Sequence, residues 1–246
     1  MKLSIVIPVF NKWNFTKSCL KDLVQLPSDN EIIIVDNGSS DETQEEMDKI
    51  NTTSEAVNGH SVKYYRNHVN MGFAIGCNVG FGESTGDNVM FLNNDIRVKE
   101  RHEDWTSIVL DAIKEDTLVG PTGAMVDPTY NFQFLYETLD PKKPKNYMSG
   151  WCLSASRKTW NKLEIARDPI LIYDHQPPPQ IFSEEFGLAY FEDTDLGFRA
   201  KRMKMNFEMV EIPVVHFGKV SSGQINTSAL YSKARTIFIN KWGNKS

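Results

Sequence analysis

The sequence has few cysteines, no long apolar run and no excess of basic charge, and each of these absences excludes a class of protein. Its 246 residues contain three cysteines, Cys19, Cys77 and Cys152. Their odd number, wide spacing and apolar neighbours argue against a disulfide framework and predict buried thiols in a reducing compartment. We therefore expect a cytoplasmic protein.

No stretch approaches the roughly 20 apolar residues that a membrane-spanning helix needs. The sequence therefore predicts no transmembrane segment, while peripheral contact with a membrane surface stays an open alternative. The formal net charge is -5, which does not favour non-specific attraction to a polyphosphate backbone. Nucleic acid is thus a disfavoured partner. Binding to it would need a locally basic groove, which the net charge does not exclude.

The composition is that of a globular protein, and the first half alternates strand-like and helix-like patterns. One of the helical patterns is the small-residue stretch Gly72–Gly82. Alternation of this kind predicts a parallel sheet with helices on both faces and a ligand site beyond the carboxyl ends of the strands. The apolar, β-branched runs that read as buried strands are Leu3–Phe10, Glu31–Asp36, Val62–Arg66 and Asn88–Leu92.

The pattern changes after about residue 115, where the predicted elements become shorter. We expect the long irregular segment Arg167–Glu185 to be mobile without ligand, because loops of this length are commonly lids. The other predicted elements are strands at Val119–Met125, Gln133–Thr138, Trp151–Ser156 and within Phe207–Val215, and helices at Asp193–Met203 and Ser228–Trp242.

Two polar clusters place a carboxylate at the end of a strand. Asp36 ends the second strand, where it can accept a hydrogen bond from a base or a ribose. A turn-forming Asp is the plain alternative. Asn93-Asn94-Asp95 ends the fourth strand, and a single Asp at a phosphate site suffices to hold a hard divalent cation together with diphosphate oxygens. An Asx turn explains that triplet equally well.

A third cluster is the glycine-containing entry to the predicted helix at residues 72–82. Gly72 and Gly76 allow a close approach of the backbone to a ligand, and Asn70 and Asn78 offer side-chain amides. The pattern is neither a dinucleotide fingerprint nor a P-loop. Glycines that only pack a helix on a sheet would look similar.

The fourth cluster is the acidic start of the predicted helix at residues 193–203. Glu192, Asp195 and Arg199 share one stripe of the helix, with Asp195 and Arg199 spaced for an i,i+4 ion pair, whereas Asp193 points about 100° away from that stripe. The plain alternative is compensation of the helix dipole by acidic first-turn residues. A later histidine, His216, ends a predicted strand and is either a metal ligand or an ordinary strand-end residue.

Taken together, the order and spacing of these clusters resemble the inverting family 2 glycosyltransferases of the GT-A type, in a rhamnosyltransferase-like subgroup. The resemblance implies an α/β GT-A fold with a Rossmann-like, mostly parallel central sheet flanked by helices and a smaller acceptor-side subdomain. It implies one catalytic domain over residues 1–246, with a nucleotide-sugar-binding half at about 1–115 and an acceptor-binding half at about 116–246. The matching segments are Ser4–Asn11, Ile34–Asp41, Asn70–Ala74, Phe91–Asp95, Glu192–Arg199 and Val215–Gly218.

The resemblance also implies roles for individual residues. Asp36 would read the nucleobase, Asp95 and His216 would hold Mn²⁺ or Mg²⁺ on the diphosphate, and Asp193 of the Glu192-Asp193 pair would be the catalytic base. Asn93 stands where the family has Asp, so it would serve the ribose or a metal-bound water instead. The implied donor-binding set is Pro8, Phe10, Asp36, Asn70, Gly72, Asn78, Asn93 and Asn94.

The implied activity is transfer of a sugar from a nucleoside-diphosphate sugar, by expectation UDP-linked, to a hydroxyl of a saccharide or another acceptor with inversion. Two alternatives remain. A nucleotidyltransferase typically has a glycine-rich basic loop after its first strand, where this sequence has Asn11-Lys12-Trp13. The second alternative is a module of the same fold that binds a nucleotide sugar without turnover.

Overall fold

The computed structural model describes residues 2–26, 30–51, 60–99, 104–166, 178–218 and 227–243. Its helices are α1 (Trp13–Leu23), α2 (Thr43–Asn51), α3 (Phe73–Glu83), α4 (Trp105–Ala112), α5 (Arg157–Lys162), α6 (Glu192–Arg202) and α7 (Thr227–Trp242), with a short 3₁₀ helix at Glu184–Phe186. Its strands are β1 (Leu3–Val9), β2 (Glu31–Asp36), β3 (Ser61–Arg66), β4 (Asn88–Leu92), β5 (Ile96–Val98), β6 (Thr117–Gly120), β7 (Gly123–Asp127), β8 (Gln133–Thr138), β9 (Tyr147–Met148), β10 (Cys152–Ser156), β11 (Asn206–Met209) and β12 (Val214–His216).

A seven-stranded sheet in the order β11-β6-β10-β4-β1-β2-β3 forms the centre of the fold. The pairs β1–β2, β2–β3, β1–β4 and β11–β6 are parallel, and β10 is antiparallel to both of its neighbours. The predicted α/β fold with a mostly parallel sheet is therefore confirmed.

Both faces of the sheet are buried, as its continuous apolar strands predict. Along β1, Ile5 and Ile7 pack into one apolar core with α1, while Val6 packs into the other with α3. A Cβ on Gly80 of α3 would lie only 2.2 Å from Val6 Cγ1. The small residues of α3 therefore let the helix sit close on the sheet, which was the plain alternative for this stretch.

The predicted strand at residues 119–125 is wrong, because the chain breaks there into β6 and β7. Pro121 has no backbone N–H to donate to a sheet, and the two strands belong to different sheets. β6 joins the central sheet, whereas β7 pairs with β8 and β9 in a separate antiparallel sheet.

A two-stranded sheet brings distant parts of the chain together beside the carboxyl end of β4. β5 and β12 are antiparallel, with His216 opposite Ile96. The backbone N–H of Phe217 donates to the carbonyl oxygen of Asp95 at 2.9 Å. This pairing puts His216 next to Asp95, although 120 positions separate them in the sequence.

Helix α7 is fixed to α6 through one buried carboxylate. Asp195 accepts from Arg199 Nε at 2.9 Å, so the predicted i,i+4 pair is confirmed. It also pairs with Lys241 Nζ at 2.8 Å and accepts from Trp242 Nε1 at 2.9 Å. Asp195 is thereby occupied in joining the two helices.

The segment predicted to be a mobile lid falls partly outside the described residues, which resume at residue 178. Ile181, Phe182 and Ser183 are buried, and the side chain of Asn78 binds this stretch, so the prediction is wrong for these three residues. The three cysteines are free and buried, as expected. In the described ranges, no helix has the length and apolarity to cross a membrane.

Candidate active site

The turns that follow β1 and β2 are tied to each other. The N–H of Asn11 donates to Ser39 Oγ at 2.7 Å, and Asn11 Oδ1 accepts from the N–H of Ser40 at 2.7 Å. The N–H of Trp13, at the start of α1, donates to Asp41 Oδ2 at 3.0 Å. Side chains thus hold the carboxyl ends of the two strands as one rigid platform.

Asp36 lies at the centre of this platform and is fully buried. Its Oδ1 accepts from the N–H and the hydroxyl of Ser39 at 2.8 and 2.6 Å. Its Oδ2 accepts from the Tyr64 hydroxyl at 2.8 Å and pairs with Arg66 Nη1. These four contacts use the roughly four acceptor positions of the carboxylate and position Arg66, and the predicted contact of Asp36 with the base stays a prediction.

Two predicted donor-binding residues, Asn78 and Gly72, contact the segment before α6. The Asn78 amide accepts from the N–H groups of Ile181 and Phe182 and donates to the Phe182 carbonyl, each at 2.9 Å. Gly72 has φ 89°, and a Cβ there would lie 2.5 Å from the carbonyl oxygen of Gly187. Asn70 Oδ1 accepts from the Gly72 N–H at 3.0 Å. The structure thus gives Gly72 and Asn78 packing roles, while Asn70 keeps its side-chain N–H groups for other partners. The predicted contact of these residues with the donor stays a prediction.

The triplet after β4 sends its side chains in different directions. Asn94 is buried and donates to Thr16 Oγ1 of α1 at 2.9 Å, and its predicted contact with the donor stays a prediction. Asn93 Nδ2 lies 3.3 Å from His216 Nε2. Pro8 and Phe10 are half-buried at the end of β1, where their predicted contact with the donor stays a prediction.

Asp95 and His216 form a pair whose polar atoms converge. Asp95 Oδ1 and His216 Nε2 are 3.1 Å apart, yet Asp95 Oδ1 is buried and accepts no hydrogen bond from any described residue. Two ligands at right angles on a cation bonded at about 2.1 Å would be roughly 3 Å apart. The pair therefore fits adjacent positions on a hard divalent cation.

Two protein ligands, one from Asp95 and one from His216, also suit a hard divalent cation. Within the described ranges, no group of three or more His, Cys, Asp or Glu side chains could hold a metal. Mg²⁺ is commonly bound by one or two protein carboxylates, with substrate phosphates and waters completing its shell. A two-residue site agrees with a cation that arrives with a diphosphate.

The first turn of α6 carries a pair of crowded carboxyls. Asp193 Oδ2 accepts from the N–H of Gly150 at 3.0 Å, and its Oδ1 accepts from the N–H of Thr194 at 2.7 Å. Burial raises the pKa of the Asp193 carboxyl, these two N–H groups oppose the shift, and the charge of Glu137 adds to it.

The Glu192 carboxyl has weaker support, from the backbone N–H of Glu192 itself. Its Oε2 is buried without a hydrogen-bond partner among the described residues. Burial, followed by the charge of Asp193, raises the pKa of the Glu192 carboxyl well above its usual range. More backbone donors stabilise the Asp193 anion than the Glu192 anion, which favours Asp193 as the charged member of the pair.

The segment Ser149–Trp151 joins these two parts of the site. Ser149 Oγ donates to Glu137 Oε1 at 2.9 Å, and the next residue, Gly150, holds Asp193. The indole ring of Trp151 stacks on the His216 imidazole, with centroids 4.7 Å apart and planes at 6°. One short segment thus contacts the acidic pair at one end and the metal-compatible pair at the other.

Sequence reasoning missed the roles of Arg66, Glu137, Gly150 and Trp151. Arg66 carried a usable signal, because it ends a predicted strand and lies in parallel register with Asp36. The other three become part of the site only through contacts between distant segments, and no local pattern marks them.

Fold and site together define an α/β protein whose carboxylate-rich site lies beyond the carboxyl ends of its central strands. A family model described as glycosyl transferase family 2 matches residues 4–169. The chain therefore belongs to glycosyl transferase family 2, a family of enzymes.

Two sequence relatives come from Rickettsia. The chain is 32% identical over 95 residues to an uncharacterized glycosyltransferase of Rickettsia conorii, and 30% identical over 95 residues to one of Rickettsia felis. Each alignment covers 38% of this chain and 15% of the relative. The chain thus spans a small part of these relatives.

Two solved structures share the GT-A fold. The mannosyltransferase PcManGT of Pyrobaculum calidifontis, in complex with GDP-Man and Mn²⁺, has a TM-score of 0.60 at 14% identity, over 85% of this chain and 54% of that one. GalNAc-T7, with UDP, GalNAc and Mn²⁺, has a TM-score of 0.74 at 13% identity, over 100% of this chain and 48% of that one. At such identities the likeness establishes the fold alone.

Proposed function

We propose that the protein transfers a sugar from a nucleoside-diphosphate sugar to an acceptor hydroxyl, with a divalent cation on the diphosphate and inversion at the anomeric carbon. The observation that carries the proposal is the Ser149–Trp151 segment, which holds Asp193 through the Gly150 N–H and stacks Trp151 on His216 beside Asp95. The complexes of the two structural neighbours support the donor class and the cation.

Asp193 is the proposed base. Its carboxylate takes the proton from the acceptor hydroxyl as the acceptor oxygen bonds to the anomeric carbon and the bond from that carbon to the diphosphate oxygen breaks. Positioned bases contribute about 10²–10⁴-fold to such steps. The N–H groups of Gly150 and Thr194 hold the carboxylate in place, and attack from the face opposite the diphosphate inverts the centre.

Asp95 and His216 would hold the cation, which supplies positive charge to neutralise the departing diphosphate. Asn93, beside His216 Nε2, is proposed to bind the ribose or a water of this shell. Pro8, Phe10, Asn70 and Arg66 are proposed to line the nucleotide side, with Arg66 set by Asp36.

The finer assignments belong to the same proposal. The donor is proposed to be UDP-linked, the subgroup rhamnosyltransferase-like and the acceptor a saccharide. Three buried free thiols suit a reducing compartment, so a cytoplasmic location is part of the proposal.

A donor panel tests the function. The protein is incubated with UDP-linked hexoses, GDP-mannose and dTDP-rhamnose, each with Mn²⁺ and a mixture of saccharide acceptors, and released nucleoside diphosphate is measured. We expect release from at least one donor, dependent on both the cation and the acceptor, and lost in Asp193→Asn. Tight binding of a nucleotide sugar with no release from any donor would instead identify a binding module.

A further inference from the structure

Trp151 has a contact with His216 that ordinary core packing does not require. Among the ring pairs of the described residues, Trp151–His216 is the one that stacks face to face, with centroids 4.7 Å apart and planes at 6°. The other pairs meet edge-on or tilted. Stacking of this kind fixes the plane of the smaller ring against the larger one.

Among the described residues, none is hydrogen-bonded to the second ring nitrogen of His216. A metal-binding histidine generally donates its second ring N–H to a carboxylate, a carbonyl or water, and this bond orients the ring. The polar contacts of His216 to described residues all involve Nε2, which faces Asn93 at 3.3 Å and Asp95 at 3.1 Å. Within the described part of the chain, the Trp151 stack is therefore the contact that sets the ring plane.

Trp151 is itself anchored at both ends. Its Nε1 donates to Thr122 Oγ1 at 3.1 Å, and its carbonyl oxygen accepts from the Asn93 N–H at 2.8 Å. The residue is 8% exposed. The indole ring is fixed through its N–H, and the backbone of the same residue is fixed through its carbonyl oxygen. Together these two bonds make the indole a rigid surface for the imidazole.

We propose that Trp151 is a positioning residue, which holds the His216 imidazole in the plane that aims Nε2 at the point faced by Asp95 Oδ1. The inference rests on the proposed metal-assisted function and adds a residue that acts on the cation only through His216. Replacing groups that orient a metal ligand typically lowers metal affinity about 10–100-fold.

The test measures uptake of Mn²⁺ in the presence of UDP or GDP, by electron paramagnetic resonance of the free ion and without sugar transfer. We expect Trp151→Leu to weaken Mn²⁺ binding at least about 10-fold. Trp160→Phe is the matched control, because Trp160 is fully buried and its Nε1 donates to the Val89 carbonyl at 3.0 Å. This control should lower thermal stability while keeping the parental Mn²⁺ affinity.

A double mutant tests whether Trp151 acts through His216. Because the effects of coupled residues do not add, Trp151→Leu combined with His216→Ala should bind Mn²⁺ no more weakly than His216→Ala alone. Losses that add in the double mutant, or a folded Trp151→Leu protein with parental affinity, would overturn the proposal.

Two milder variants apply if Trp151→Leu does not fold. Thr122→Val removes the anchor of the indole N–H, and Trp151→Phe keeps a smaller ring; both should weaken Mn²⁺ binding, and parental affinity in both would overturn the proposal. If the parent takes up no Mn²⁺ with either nucleotide, the metal pair of the proposed function fails, and this inference fails with it. Uptake by the parent that the variants do not change refutes the inference alone.

Discussion

Two regions at the carboxyl ends of the strands differ in how many hydrogen bonds their buried carboxylates receive. In the β1–β3 edge, formed by the ends of β1, β2 and β3, Asp36 receives hydrogen bonds from Ser39, Tyr64 and Arg66. On the β4–α6 side, formed by the end of β4 and the start of α6, Asp95 Oδ1 and Glu192 Oε2 have no such partner among the described residues.

This difference in hydrogen bonding distinguishes carboxylates that stabilise the fold from carboxylates that are available for binding or catalysis. A buried carboxylate oxygen without a hydrogen bond costs about 1–3 kcal/mol, so folding alone gives no reason to keep two such oxygens on the β4–α6 side. The hydrogen bonds and the ion pair of Asp36 explain its presence by stability alone. We therefore assign rigidity to the β1–β3 edge and the reacting groups to the β4–α6 side.

The largest expected effect is on turnover. Asp193→Asn should lower kcat at least 100-fold, in line with base contributions of about 10²–10⁴-fold, with little change in donor affinity. Steady-state kinetics and calorimetry measure the two quantities. Glu192→Gln, the matched change next to it, replaces a carboxyl that is protonated in the active form and should cost far less. A larger loss in Glu192→Gln would reverse the assignment within the pair.

The next effect is on binding. Asp95→Ala should abolish the Mn²⁺-dependent part of nucleoside-diphosphate binding, because it removes one of two protein ligands, while the circular dichroism spectrum stays parental. Calorimetry with Mn²⁺ and with EDTA measures the difference. A variant that still binds the nucleotide more tightly with Mn²⁺, to the parental extent, would remove Asp95 from the metal site.

Asp36→Asn should give the reverse pattern. It breaks the ion pair with Arg66 and leaves a fully buried group among donors arranged for a carboxylate, and a buried polar group without its partner costs about 1–3 kcal/mol. Urea unfolding should show this loss, while the folded variant keeps Mn²⁺-dependent nucleotide binding. Parental stability together with lost nucleotide binding would support the role predicted for Asp36, direct recognition of the base.

The smallest effect is a gain in stability that depends on pH. The pKa of Glu192 is raised in the folded protein, so between the unfolded and folded pKa values the unfolded chain binds fewer protons and stability falls as pH rises. Glu192→Gln removes this loss. Its melting temperature should exceed the parent's at pH 9 and match it at pH 4, by thermal unfolding at both values. An equal difference at both pH values would contradict the buried, unpartnered state of Glu192.

Sequence could predict those parts of the fold and the site that depend on residues close together in the chain. The apolar runs of β1, β2 and β4 identified the parallel sheet, and the spacing of Asp195 and Arg199 identified their ion pair. The break at Pro121 had a local signal too, since proline is disfavoured inside a central strand.

The rest depends on which distant segments meet. Asn78 was predicted to face a ligand, yet it binds Ile181 and Phe182, more than 100 positions away. Asp36 was predicted to read a base, but strand register puts Arg66 beside it. Polar residues at strand ends look alike in sequence whether they bind a ligand or each other, so only the fold separates the two uses.

Crystals grown with Mn²⁺ and UDP test the central claim most directly, through the anomalous signal of the manganese. We expect a peak within bonding distance of Asp95 Oδ1 and His216 Nε2, with the Asp193 carboxylate unbound to metal and still held by the Gly150 N–H. A peak bound to Asp193 or Glu192, with Asp95 and His216 left free, would contradict the assignment of metal site and base.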